Sequence, residues 1–173
     1  MRKILEKDFF NRDTATVARE LLGKFLVRKM GNQEMSAMIT ETEAYDGPED
    51  KASHASKGMT KRTEIMFDHP GNWYVYLIYG MYDMLNVVTR EHGYPAAVLI
   101  RGVIGHDGPG KVTKFLRITR DFNGKMAEKS TGLWFEERGA LPAGVKIKKL
   151  PRLGVNYAGP IWAAKKLRFI LEL

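Results

Sequence analysis

The stretch that decides the fold is Glu34-Met35-Ser36-Ala37-Met38-Ile39-Thr40-Glu41-Thr42-Glu43-Ala44-Tyr45, halted by Asp46-Gly47-Pro48-Glu49-Asp50. Apolar side chains recur at every second position through its first half, the period of a half-buried strand. Taken as unbroken, that period sets Met35, Ala37, Ile39, Glu41, Glu43 and Tyr45 on one face. Two carboxylates ending an otherwise apolar face are expected where the face leaves the core and opens into a pocket.

Working outward, Gly31-Asn32 is a turn, and residues 24–30 before it read as the partner strand. Further upstream, Asp13 or Thr14 is placed to cap a helix that carries Val17, Ala18, Leu21 and Leu22 on one stripe and stops at Gly23. Downstream, a polar loop runs to about Arg62 and Pro70-Gly71 makes another turn. Residues 73–88 read as two strands joined near Gly80, and 96–101 as a third strand after Pro95. Gly108-Pro109-Gly110-Lys111 introduces a short helix through Arg117; 134–138, 146–148 and 167–171 read as further strands. The pattern predicts an α+β fold: a single compact domain over 1–173, with a mixed, mostly antiparallel curved sheet, a few flanking helices and a protruding hairpin.

Composition narrows the function classes. Lys and Arg number 28 against 20 Asp and Glu, a net charge of +8 and a pI near 9.6, so nucleic acid is the first partner to expect. The absence of Cys excludes disulfides, thiolate nucleophiles and Cys-ligated zinc. The N-terminal Met1-Arg2-Lys3-Ile4-Leu5-Glu6-Lys7-Asp8 lacks the apolar run of a signal peptide, and no stretch approaches the ~20 apolar residues of a membrane helix. A soluble, cytoplasmic protein with no membrane partner is expected. His54, His69, His92 and His106 show no metal-ligand spacing along the chain, so no metal is expected.

Glu43 at the strand end, Tyr45 two residues on, His54 in the following loop, and Tyr74, Tyr76, Tyr79 and Tyr82 crowding one hairpin each have an ordinary explanation. Together they describe a pocket for a flat aromatic ligand. Base stacking on an aromatic side chain is worth ~1–3 kcal/mol, and an electron-rich ring also attracts a cation. A purine alkylated on a ring nitrogen is both flat and cationic. A carboxylate beside its sugar can activate water and stabilise the charge that grows as the base leaves, as in sugar hydrolysis generally.

The run from Glu41 to Asp50 with His54 closely resembles the signature of the alkyladenine (3-methyladenine, methylpurine) DNA glycosylase family. Met66-Phe67, Pro70-Gly71, Tyr74-Val75-Tyr76, Tyr79-Gly80-Met81-Tyr82 and Asn86-Val87 match a second signature at the same spacing. Val98-Leu99-Ile100-Arg101, Gly108-Pro109-Gly110-Lys111, Arg152-Leu153-Gly154-Val155 and Leu167-Arg168-Phe169 extend the match over nearly the whole chain.

The resemblance implies a monofunctional glycosylase of base excision repair acting on double-stranded DNA with a damaged purine, in a prokaryotic, nucleoid-associated setting. Glu43 would deprotonate the attacking water, which Arg101 and a backbone carbonyl near Leu171 would help hold. Tyr45, His54 and Tyr76 would stack around the flipped base, and the His54 backbone would donate to it. Asn86 would crowd the pocket floor against the amino group of normal guanine. Tyr79 would wedge into the minor groove, and a wedge there costs a few kcal/mol of unstacking. Arg62 and Lys111 are expected near phosphates. No cofactor is implied, and a monomer is the expected state. Relative to the family, residues 102–107 are a shortened segment from which a helix is expected to be missing, and a compact prokaryotic version without the long N-terminal extension of vertebrate members is expected.

Three rivals remain at this level: an inert nucleic-acid binder, an enzyme of free nucleosides, and a metal-dependent hydrolase. The Glu43 and Arg101 pair speaks against the first, and Tyr79 with the net charge against the second.

Overall fold

A computed structural model describes residues 2–141 and 143–173. In chain order its elements are strand β1 (Lys3–Ile4), helices α1 (Lys7–Phe10) and α2 (Thr14–Glu20), strands β2 (Phe25–Met30), β3 (Gln33–Asp46), β4 (Trp73–Ile78), β5 (Tyr82–Val88), β6 (Ala96–Val103) and β7 (His106–Asp107), helix α3 (Pro109–Phe115), strands β8 (Leu133–Glu137) and β9 (Lys146–Leu150), helix α4 (Gly159–Ala164) and strand β10 (Arg168–Glu172). This is the expected α+β arrangement. The sheet runs β1-β8-β2-β3-β6-β5-β4, with β7 on β6 and β9–β10 joined to β3. The pairings among the described residues are antiparallel. Among the described residues no helix is long and apolar enough to cross a membrane.

β3 holds the sheet together. Its first half pairs with β2. Beyond that, β10 takes over the same edge across Glu41–Glu43, while β6 covers the other edge. Between Ile39 and Thr42 the β3–β6 ladder is irregular, and there the period of two breaks. Ala37 and Ile39 face the main core, but so does Ala44, and the Thr42 hydroxyl donates to the Ala18 carbonyl of α2 at 2.7 Å. On β6, Ile100 and Val103, three residues apart, both lie in the same core. Unbroken alternation from Met35 to Tyr45 therefore does not hold. The irregularity shifts the phase by one residue and turns Glu41, Glu43 and Tyr45 to the face opposite Ala37 and Ile39.

The phase shift works because α2 covers the core face on both sides of it. Asp13 caps α2 by accepting from the Thr16 N–H at 2.8 Å, a bond whose loss typically costs ~1 kcal/mol. Val17, Ala18, Leu21 and Leu22 are all buried. Helical geometry ends at Glu20, so Leu21 and Leu22 belong to the turn that follows. Gly23 sits at φ +81°, where a Cβ would meet the Leu141 side chain at 2.4 Å. At the other end of the core the Phe135 ring lies 4.9 Å from Trp73 and 5.5 Å from Phe10. Between Arg101 and Gly108 there is no helix; β6 turns tightly into β7, with Val103 opposite His106.

Candidate active site

The face that β3 turns away from the core looks onto a cavity of about 430 Å³, within the range of small-ligand sites. Tyr45, His54, Tyr76, Asn86, Arg101 and Tyr79 all line it, as do Tyr74 and Leu153. Glu43 lies behind this wall with no solvent exposure. Arg62 is exposed, its guanidinium 5.4 Å above the Tyr76 ring. Lys111 is also exposed but lies outside the cavity, in the first turn of α3. There Gly110 allows the helix to approach Tyr82 of the hairpin, where a Cβ would meet the ring at 2.7 Å.

Glu43 is held at both oxygens. Tyr45 donates its hydroxyl to Oε2 at 2.7 Å, and the Leu153 N–H donates to Oε1 at 2.8 Å. The Arg101 Nε stands 3.6 Å from Oε1 and 3.2 Å from Oε1 of Glu41. Arg168 Nη1 also donates to Glu41, at 3.0 Å. Burial pushes the Glu43 carboxyl above the ordinary carboxylate range; Arg101, the Leu153 amide and the Tyr45 hydroxyl pull it back, and Glu41 adds to the rise. A buried carboxylate that is less acidic than usual yet still wired to donors is suited to accept a proton.

The aromatic part of the wall is neutral. His54 stands edge-on to Tyr76, centroids 4.7 Å apart, with Nδ1 3.3 Å from the Tyr74 hydroxyl. Burial, with Arg62 and Lys57 nearby, lowers the His54 pKa and favours neutral imidazole. Burial pushes the Tyr74 phenol up to about 12, and those of Tyr45 and Tyr76 also upward. On the floor, Asn86 Nδ2 donates to the carbonyls of Tyr74 and Met84 at 3.1 and 3.2 Å, which fixes its amide. At the mouth, Tyr79 is 83% exposed at the hairpin tip. It has φ 53° and Gly80 has φ 68°, and the Met81 N–H returns to the Ile78 carbonyl at 3.1 Å. Two left-handed residues closed by that bond match the type I′ hairpin turn.

Tyr45, His54, Tyr76, Tyr79, Asn86 and Arg101, which the sequence grouped, thus line one cavity with Glu43 behind them, while Lys111 lies outside it. The model of the methylpurine-DNA glycosylase family matches residues 8–107, more than half of the chain. The chain belongs to that family. Full-length relatives agree: a protein of Methanocella arvoryzae is 47% identical over 90% of this chain and 86% of its own. One of Anaeromyxobacter dehalogenans (strain 2CP-1) is 45% identical over 97% and 82%. One of Legionella pneumophila (strain Paris) is 44% identical over 99% and 96%. Each carries the name "Putative 3-methyladenine DNA glycosylase".

In this member of the methylpurine-DNA glycosylase family, the Leu171 side chain is buried in the main core and the residue pairs with Ile147 of β9. The segment 152–155 supplies the backbone amide that contacts Glu43. It is fastened by a fully buried ion pair: Arg152 Nη1 and Nη2 donate to Asp50 at 2.5 and 2.8 Å. Arg152 also donates to the Ala44 carbonyl at 2.9 Å and lies 4.8 Å over the Tyr45 ring. Sequence reasoning quoted both Asp50 and Arg152-Leu153 within matching motifs but gave them no role. Their partners lie 102 and 110 residues away along the chain, beyond the reach of local pattern.

Proposed function

We propose that this chain flips a damaged purine out of duplex DNA into the cavity and hydrolyses its N-glycosidic bond with a water that Glu43 deprotonates. Family membership supports the coarser part, a DNA glycosylase acting on methylated purines. The observation that carries the rest is the buried, proton-hungry Glu43 behind a wall of neutral aromatic rings. Tyr45, His54 and Tyr76 take the base between them; such faces suit a cationic purine such as 3-methyladenine or 7-methylguanine, and hypoxanthine or ethenoadenine by stacking. Arg101 and Leu153 both line the cavity and both face Glu43 Oε1, which supports a water position at that shared edge. Because Glu43 has no exposure, its entry requires a small shift of Tyr45 or Leu153. The water oxygen bonds to the sugar C1′, its proton passes to Glu43, and the bond to the purine nitrogen breaks. The electron pair leaves with the base, which makes an N-alkylated purine neutral without an acid.

Tyr79 fills the gap in the stack, Asn86 rejects the guanine amino group, and Arg62 and Lys111 meet phosphates. Among the described residues no lysine lines the cavity, so no amine is placed to open the sugar, and the product is an abasic site in an uncut strand. The test is base release from labelled duplexes carrying one hypoxanthine, one ethenoadenine or methylated purines, with wild type against Glu43→Gln. Free base with wild type alone, and strand breaks only after alkali, is the expected result. Tight binding of all three duplexes with no base released by wild type would overturn the enzymatic reading.

A further inference from the structure

The loop that precedes β4 and the loop that joins β5 to β6 bring Asp68, His69 and His92 together, although 23 residues separate the two histidines in the chain. One ligand atom from each lies within 4.8 Å of the other two. The two imidazoles stack with centroids 4.5 Å apart and planes 25° apart, and Asp68 Oδ1 is 3.9 Å from His92 Nδ1. The backbone beneath them is fixed. The Gly93 N–H donates to the Phe67 carbonyl at 2.8 Å and ties one loop to the other; the Asn72 N–H donates to the His69 carbonyl at 3.2 Å. Asp68 Oδ1 accepts from the His69 N–H at 2.7 Å. The imidazoles themselves are exposed.

We propose that these three side chains bind one divalent first-row transition ion, of which zinc is the reference case. Two imidazoles and a carboxylate are a donor set that such ions take, with remaining positions left to water. In a tetrahedral site with bonds of ~2.0–2.2 Å, ligand atoms stand about 3.4 Å apart. The three atoms therefore close by at most about 1.4 Å, a movement that rotation of exposed side chains provides while the loop backbones stay in place. An Asp68–His92 ion pair would leave His69 without a function; a chelate uses all three groups. None of the three lines the cavity, and they sit at the opposite end of the β4–β5 hairpin from Tyr79. The ion acts as a clip between two loops and takes no part in the reaction.

The experiment is calorimetric titration of tag-free protein with zinc chloride, for wild type, His92→Ala and His69→Ala, with thermal melts and base release measured on the same samples. Wild type is expected to bind one zinc per chain, and each alanine variant to bind at least tenfold more weakly. At a hundredfold excess of free zinc over Kd, the wild-type Tm should rise by about 5–10 °C while base release is unchanged. Absence of saturable binding by wild type would overturn the proposal, as would binding that both alanine variants retain. Zinc that abolishes base release with no change in Tm would place the ion in the cavity and overturn it too. Saturable binding, its loss in the alanine variants and the rise in Tm are read without base release, so they stand whether or not the glycosylase mechanism does.

Discussion

Asp50→Ala tests how the cavity wall is held. Asp50 and Arg152 have no side-chain exposure, so the substitution leaves a buried guanidinium without its counter-charge. Breaking a buried pair in this way costs ~3–5 kcal/mol, which for a chain of this size lowers Tm by about 6–20 °C. The damage reaches the chemistry through one residue. Leu153 follows Arg152 and gives its N–H to Glu43 at 2.8 Å. A hydrogen bond to a charged group is worth ~1.5–3 kcal/mol, so its loss slows base release by about ten- to hundredfold. That amide holds the Glu43 pKa down, so the acid limb of the rate profile should also move to higher pH. The assays are chemical denaturation and single-turnover base release well below the variant's Tm. A paired variant, Asp50→Leu with Arg152→Met, removes both charges and should recover much of the stability but not the rate. An Asp50→Ala protein that loses less than about 1 kcal/mol, or that keeps the wild-type single-turnover rate and pH profile, would refute the reasoning.

Glu43→Gln should slow base release by ~10²–10⁴-fold, the usual worth of a general base, and should also stabilise the fold at neutral pH. The sign follows from the raised pKa: folded Glu43 holds a proton that the unfolded chain has released, so wild-type stability falls as pH rises through that window. The gain in Tm should therefore vanish below the ordinary carboxylate pKa; a gain that persists in acid would contradict burial as the cause. Glu41→Gln removes a charge that raises the Glu43 pKa and competes for Arg101. The acid limb of base release should move to lower pH, and an unmoved or rising limb would disprove the coupling. Tyr79→Asn replaces a strained left-handed tyrosine with the residue that type I′ turns favour. It should gain about 1 kcal/mol, or ~2–4 °C in Tm, while duplex base release falls at least tenfold; a variant less stable than wild type would argue against strain at the tip.

What could be read from the sequence, and what could not, divides by range along the chain. The elements came from local signals: the cap at Asp13, the turns at Gly31 and Gly80, and the alternation in the first half of β3. The chemistry-bearing residues came as a group because the motifs that carry them are long. The irregularity in β3 escaped because no Gly or Pro within β3 marks it; the glycine at the site, Gly102, lies opposite Glu41 on β6, where a Cβ would meet the Glu41 side chain at 3.1 Å. Residues 156–164 escaped for a different reason. Val155, Ala158, Trp162 and Ala163 pack together there, but the apolar Tyr157 and Ile161 on the other side are 69% and 74% exposed, so apolar residues on both faces hide the stripe. The meeting of Asp68, His69 and His92, like that of Leu153 with Glu43, depends on which loops the sheet places side by side.

The irregularity between Ile39 and Thr42 explains how one strand serves two ends. Before it, odd-numbered side chains anchor the core; after it, even-numbered ones do, through Thr42 to Ala18 and through Ala44. Glu43 is thereby released from a face where a carboxylate would meet only apolar side chains. It points instead to where Tyr45, Leu153 and Arg101 can satisfy it. A straight ladder would force a choice between burying Glu43 in the core unpaired, at several kcal/mol, and surrendering the contacts that α2 makes. The phase shift avoids that choice. Burial then raises the Glu43 pKa above that of a surface carboxylate, while the Arg101 charge and the two donors, Leu153 and Tyr45, pull it back. The same balance makes the site a weak point for stability, which is why a change that silences Glu43 should strengthen the fold and one that unfastens Arg152 should weaken both.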